Sequence, residues 1–231
     1  MITEFAEDEG KRRALDQCID NYGCGDSNAD WPNNMLSRHL VVYESGVMKR
    51  RGETVSHFVD PREFELCQQI SNRASDILGD LPVGMGSEDW NPFSPFFVVA
   101  NHEADKPEFI DESLIRRIFG GTIFPSAKIT VQELSETESW WRQTTDCLPF
   151  DGTERERAID SWRELIAFLH NSSESTAPSF VSIGDEQHFW DMNENEYPPG
   201  TDMTPCVMPR LVVSLTKNGS IVGLFGHVVY T

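Results

Sequence analysis

A thiol and an imidazole are the first pair in this 231-residue chain able to do covalent chemistry. Cys24 lies in a Gly-flanked loop, GCGDSNADWPNN (23–34), and His227 falls on a late strand, GHVVY. Nucleophilic catalysis needs a thiolate, which a neighbouring imidazole supplies by taking the thiol proton. A second set is His102 and Glu103, just after an apolar run, with His188 and Asp191 in an acidic connection. Imidazole and carboxylate are zinc ligands, and His-x-x-Asp sets two of them about one turn apart on a helix. The third is DEQHFWDMNENEYPPGTDMTPCVMP (185–209). Here Asp185, Glu186, Asp191, Glu194 and Glu196 alternate with Phe189, Trp190 and Tyr197. Aromatic anchors dominate protein interfaces, and carboxylates steer a basic partner and accept bidentate contacts from its arginines. About 25 residues is also long for an idle connection within a domain.

In chain order, an early Cys24 and a late His227, the first pair resembles papain-like hydrolases. That resemblance implies thiol-based hydrolysis with an Asn or Asp orienting the imidazole. In that family the orienting residue follows the His, but only four residues remain here and none is suitable. Asp185 or Asn101 would have to supply it. Other enzyme fingerprints are missing: there is no P-loop, no GxGxxG after a strand, no GxSxG, no HExxH, no EF-hand loop and no kinase set. No cofactor is expected.

Charge points the same way as the third set. Asp and Glu number 38 against 19 Lys and Arg, a formal net charge of −19. Residues 1–33 carry eight acids against Lys11, Arg12 and Arg13, and residues 34–85 are nearly balanced. From Glu164 to Pro209 there is no Lys or Arg, while eight acids occur. Such a span repels itself unless it is solvated, metal-bound or facing a cationic partner. The field also opposes nucleic acid and anionic membranes, so neither is an expected partner. Five scattered cysteines without a CxxC pair fit neither a disulfide scaffold nor a zinc knuckle. No run of about 18 apolar residues occurs, so no membrane span is expected. MITEFAEDEG lacks the basic start and apolar core of a secretion signal, and a reducing cytoplasm is the expected setting.

The elements that must hold these residues follow from periodicity and punctuation. Residues 4–22 read as a helix from Leu15, Cys18, Ile19 and Tyr22. LVVYE (40–44), VMKR and TVSHFV (54–59) read as a short antiparallel meander. Asp60 as N-cap, Pro61 at the first helical position and Glu63 completing a capping box start a helix that Gly79 stops. Its stripe is Phe64, Cys67, Ile70, Ala74, Ile77 and Leu78. FFVVAN (96–101) is nearly all apolar and predicts a buried central strand. Asp111 caps a short helix through Phe119, and KITVQEL (128–134) alternates as a strand. Ser135 with Glu138 predicts a short helix carrying Trp140 and Trp141, which one face cannot bury together. From Thr153, capped with Glu156, a longer helix buries Ala158, Ile159, Trp162, Leu165, Ile166 and Leu169. FVSIG (180–184) is a strand. RLVVSLT and IVGLFGHVVY then form a hairpin across Lys217-Asn218-Gly219-Ser220, with Asn-Gly as a type I′ signal.

The expected fold is therefore α+β: a mixed, mainly antiparallel sheet with a C-terminal β-hairpin, packed against several amphipathic helices. One domain over 1–231 is expected, with a possible subdivision near 80–95. The leading functional expectation is a non-enzymatic acidic protein that docks a basic protein partner, as immunity proteins and inhibitors do. The alternative is a small intracellular hydrolase using the Cys/His pair or the His/carboxylate set.

Overall fold

A computed structural model of the chain describes residues 40–42, 48–50, 60–87, 90–100, 106–119, 123, 127–135, 140–146, 149–184 and 206–230. The expected helix at 4–22 and strand at 54–59 lie outside these. The first pairing is a two-stranded ribbon, β1 (Leu40–Val42) against β2 (Met48–Arg50), antiparallel with Val42 opposite Met48.

Helix α1 (Pro61–Leu78) starts where its chemistry requires. The Asp60 side chain accepts from Arg62 N at 3.0 Å, and Pro61 takes the position whose N–H has no intrahelical partner. Gly79 ends it in a left-handed conformation, its N–H donating to Ser75 O. Cys67, Ile70, Ala74, Ile77 and Leu78 are buried as their spacing predicts, and Phe64 packs edge-on against Phe97. Glu63 differs from expectation: both its carboxylate oxygens are taken by the distant β-hairpin rather than by a capping box.

A five-stranded sheet follows in the order β3-β7-β6-β5-β4, with every neighbouring pair antiparallel. Its strands are β3 (Ser94–Val98), β4 (Ile129–Glu133), β5 (Ser175–Ile183), β6 (Cys206–Thr216) and β7 (Ile221–Tyr230). The chain is thus α+β with a C-terminal hairpin. Residues 96–98 of the apolar run lie on β3, an edge strand that among the described residues pairs only with β7. Its apolar character reflects cover on both faces: Phe97 meets Phe64 of α1, while Phe96 meets Phe225 of β7. β6 and β7 sit at the centre and second from the edge, and every described side chain along them is buried, so alternation is lost there too.

Cross-strand register divides the faces. Val222, Leu224, Gly226 and Val228 point to one side, where Gly226 lies against Val83 and Phe93, and Phe93 packs on Trp162. Trp162 belongs to α4 (Gly152–Asn171), which buries Ala158, Trp162, Leu165, Ile166 and Leu169. The α4 cap falls two residues earlier than expected: Asp151 accepts from Thr153 N and Glu154 N, and Glu154 closes the box. The opposite face carries Phe225 against Phe119 at the end of α2 (Glu112–Ile118), whose N-cap Asp111 accepts from Leu114 N at 2.7 Å. In α3 (Trp140–Asp146), Trp141 is buried and the carbonyl of Gln143 receives Met85 N.

The hairpin turn also departs from the two-residue type I′ form. Thr216 N donates to Ser220 O and Gly219 N donates to Thr216 O, so Lys217, Asn218 and Gly219 form a three-residue loop. Only Gly219 has positive φ, at 86°. This is a type I turn closed by a left-handed glycine, whereas type I′ needs positive φ at both central residues.

Candidate functional site

The candidate site is the end of the sheet where the described chain stops at Gly184 and resumes at Cys206. β5 ends at Ile183, and Gly184 N donates to Lys128 O at 2.9 Å. Arg210 on β6 sits opposite Ser182 and is buried. Its Nη1 donates to the carbonyls of Ile183 (3.3 Å), Gly184 (3.3 Å) and Pro209 (2.9 Å). One guanidinium therefore ties the exit of β5 to β6. A buried cation is tolerated only where such acceptors compensate its lost hydration. Its position directly after the cation-free span is the one sequence signal that marked it.

His227 stands at the same end, on the other face, opposite Pro209. It is 4% exposed. Asn91 Nδ2 lies 3.1 Å from His227 Nε2. The Asn91 side chain is thus a described group that meets the imidazole, and no sequence signal links residues 136 positions apart. Asp185 and Asn101 lie outside the described residues. Cys24, the proposed nucleophile, lies outside the described residues.

His102, Glu103, His188 and Asp191 also lie outside the described residues. The flanks of the two halves are described, and they stand apart. Ala100 N donates to Ser220 Oγ beside the hairpin turn, whereas Gly184 leaves the sheet at the opposite end. Gly184 lies two residues beyond the Ser182–Arg210 pair and Ser220 lies level with Thr216, so about eight residues of strand separate those levels, roughly 27 Å at about 3.4 Å per residue. Among the described residues, no three His, Cys, Asp or Glu side chains are grouped to hold a metal ion.

The interaction residues Asp185, Glu186, Phe189, Trp190, Asp191, Glu194, Glu196 and Tyr197 lie outside the described residues as well. Two other members of the cation-free span are described, and each meets a cation. Glu164 pairs with Arg73 at 3.3 Å and Glu174 with Lys217 at 3.5 Å. The other acids of the span, Asp185, Glu186, Asp191, Glu194, Glu196 and Asp202, lie outside the described residues.

At the opposite end of the sheet is a buried polar cluster that serves structure. Glu63, 4% exposed, accepts from Thr216 Oγ1 at 2.5 Å and Asn218 Nδ2 at 2.6 Å. Burial pushes its pKa up, but hydrogen bonds from Thr216, Ser220 and Asn218 outweigh that and hold it below the usual glutamate value. Cys67 lies one turn along α1, fully buried and pushed up to about 12, chiefly by desolvation. It stays a thiol and is no nucleophile.

Compared with protein-family models and with curated proteins, the chain matches none. No described helix is long and apolar enough to cross a membrane.

Proposed function

We propose that this chain is a non-enzymatic acidic binding protein that docks a basic protein partner, in the manner of immunity proteins and protein inhibitors. The observation that carries this reading is the partition of charge. The described residues include 16 acidic and 14 basic side chains, leaving 22 acidic and 5 basic outside them. The sheet-and-helix framework is nearly neutral, and the excess anion belongs to the segments attached to it. One of these segments, the 185–205 connection, carries six acids and no Lys or Arg, and the Arg210 guanidinium ties the residues just before it to β6. Carboxylates concentrated on one connection steer a cationic surface by long-range attraction, while Phe189, Trp190 and Tyr197 supply the apolar anchors. The hydrolase reading has less support, because His227 is buried and its ring meets the Asn91 side chain.

Capture from a whole-cell extract on the immobilised chain tests the proposal. Retained proteins should be basic and should be released as NaCl rises from about 0.05 to 0.5 M, over which the Debye length falls severalfold. Retention of no basic protein, or retention insensitive to salt, overturns it.

A further inference from the structure

A candidate site lies at the hairpin end of the framework, away from Gly184 and Arg210. There a cavity of about 190 Å³ opens between the end of β3, helix α2 and the β6–β7 turn. Val98, Leu114, Ile118 and Ile221 make its walls apolar. One side is closed by the turn itself, since a Cβ on Gly219 would come within 2.8 Å of Pro107 Cδ. Two cations line the same cavity, Lys106 and Arg117, and no carboxylate is among its described lining residues.

Among the described residues, Arg73, Arg116, Arg155, Arg163 and Lys217 each pair with a carboxylate, whereas Lys106 and Arg117, like Arg62, Arg142 and Arg157, do not. Lys106 Nζ meets a neutral acceptor, Asn218 Oδ1 at 3.3 Å. On α2, Arg116 pairs with Glu112 and the Ala127 carbonyl, while its neighbour Arg117 has no ion pair among the described residues. Lys106 and Arg117 thus border one apolar cavity, and neither is paired with a carboxylate among the described residues.

We infer that this cavity binds a small monocarboxylate with an apolar tail, the tail between β3 and α2 and the carboxylate between Lys106 and Arg117. Both contacts are needed. The apolar walls exclude a hydrated inorganic anion, and the cations favour a charged head over a neutral one. A cavity of about 150 Å³ accepts a benzene ring, so this one has room for one ring or about six chain carbons.

The test is a titration of the full chain with hexanoate, followed by heteronuclear NMR, with hexanamide and acetate as neutral and tail-less comparators. Saturable shifts confined to β3, α2 and the 216–221 turn are expected, with Kd near or below about 1 mM. Acetate should produce none, and hexanamide and the Lys106→Gln/Arg117→Gln variant should bind at least about tenfold more weakly. Both substituted side chains are exposed, so the variant should keep the wild-type fold, which its spectrum reports directly. Filling the cavity with Ile118→Trp should abolish hexanoate binding while leaving both cations in place. Absence of saturable hexanoate binding, equal binding of hexanamide, or unchanged binding by the glutamine variant overturns the inference.

Discussion

The Glu63 carboxylate and the Asn218 amide, 155 residues apart, meet at 2.6 Å and lock the first turn of α1 to the β6–β7 turn. Thr216 Oγ1 completes the joint on the other carboxylate oxygen. A buried carboxylate is costly unless its oxygens are satisfied, and here hydroxyl and amide donors satisfy both. Removing it strands the donors that faced it. Glu63→Ala should therefore lose about 2–4 kcal/mol in urea unfolding, and Glu63→Gln less, since an amide keeps one acceptor oxygen. The pH dependence has a definite sign. A carboxyl whose folded pKa lies below its unfolded value adds stability at neutral pH, and this is lost as pH falls through the folded value. The gap between wild type and Glu63→Gln should be full at pH 7 and should narrow below about pH 4. A gap that stays constant into acid would contradict this assignment.

Arg210 should matter more than its single-residue position suggests. Substitution by Met leaves the Ile183 and Gly184 carbonyls without that donor, and should cost about 2–3 kcal/mol. Lysine should recover little, because its compact ammonium cannot reproduce the planar spread of donors. Amide hydrogen exchange should accelerate first at Gly184, whose N–H holds Lys128 O. Equal stability of wild type and Arg210→Met would remove Arg210 as the fastening of this end.

Gly223 stands opposite Phe96 and Val213 with φ 145°, where a Cβ would overlap the Val212 carbonyl. Its N–H donates to Ser71 Oγ, which in turn donates to Phe96 O, so helix and both strands meet at this point. Gly223→Ala should cost more than about 3 kcal/mol. Gly152, in the first turn of α4 with open space around it, provides the contrast. Gly152→Ala should be neutral or stabilise by up to about 1 kcal/mol in thermal unfolding. Similar losses at both positions would contradict the close approach at Gly223.

Much of the framework could be read from local chemistry. Asp60-Pro61, Asp111 and the Trp162 stripe each act within a few residues of themselves, so sequence order carries their meaning. Where two local patterns overlap, order alone fails: DGTERE contains both Asp151/Glu154 and Thr153/Glu156 spacings, and the first caps α4. Apolar runs report cover on both faces rather than place in the sheet, which is why 96–101 suggests a central strand while β3, which holds its first three residues, is an edge. The Asn-Gly signal located the hairpin but not its loop length, because Lys217 joins the loop. Site contacts were the least legible. Glu63 with Asn218, Asn91 with His227 and Arg210 with Gly184 all depend on register between distant segments. Of the proposed catalytic and metal residues, only His227 falls within the described framework.

The docking proposal is tested most directly by removing the same number of negative charges from two different places. One variant converts Asp185, Glu186, Asp191, Glu194, Glu196 and Asp202 to their amides. The other does so at six exposed framework acids, Glu65, Asp76, Asp80, Glu108, Glu133 and Glu156. Calorimetric titration with a basic protein captured by the wild type should show at least about tenfold weaker binding for the first variant. The second should stay within about threefold of wild type. Equal losses in both would mean that net charge alone attracts the partner, and an unaffected first variant would contradict the account outright.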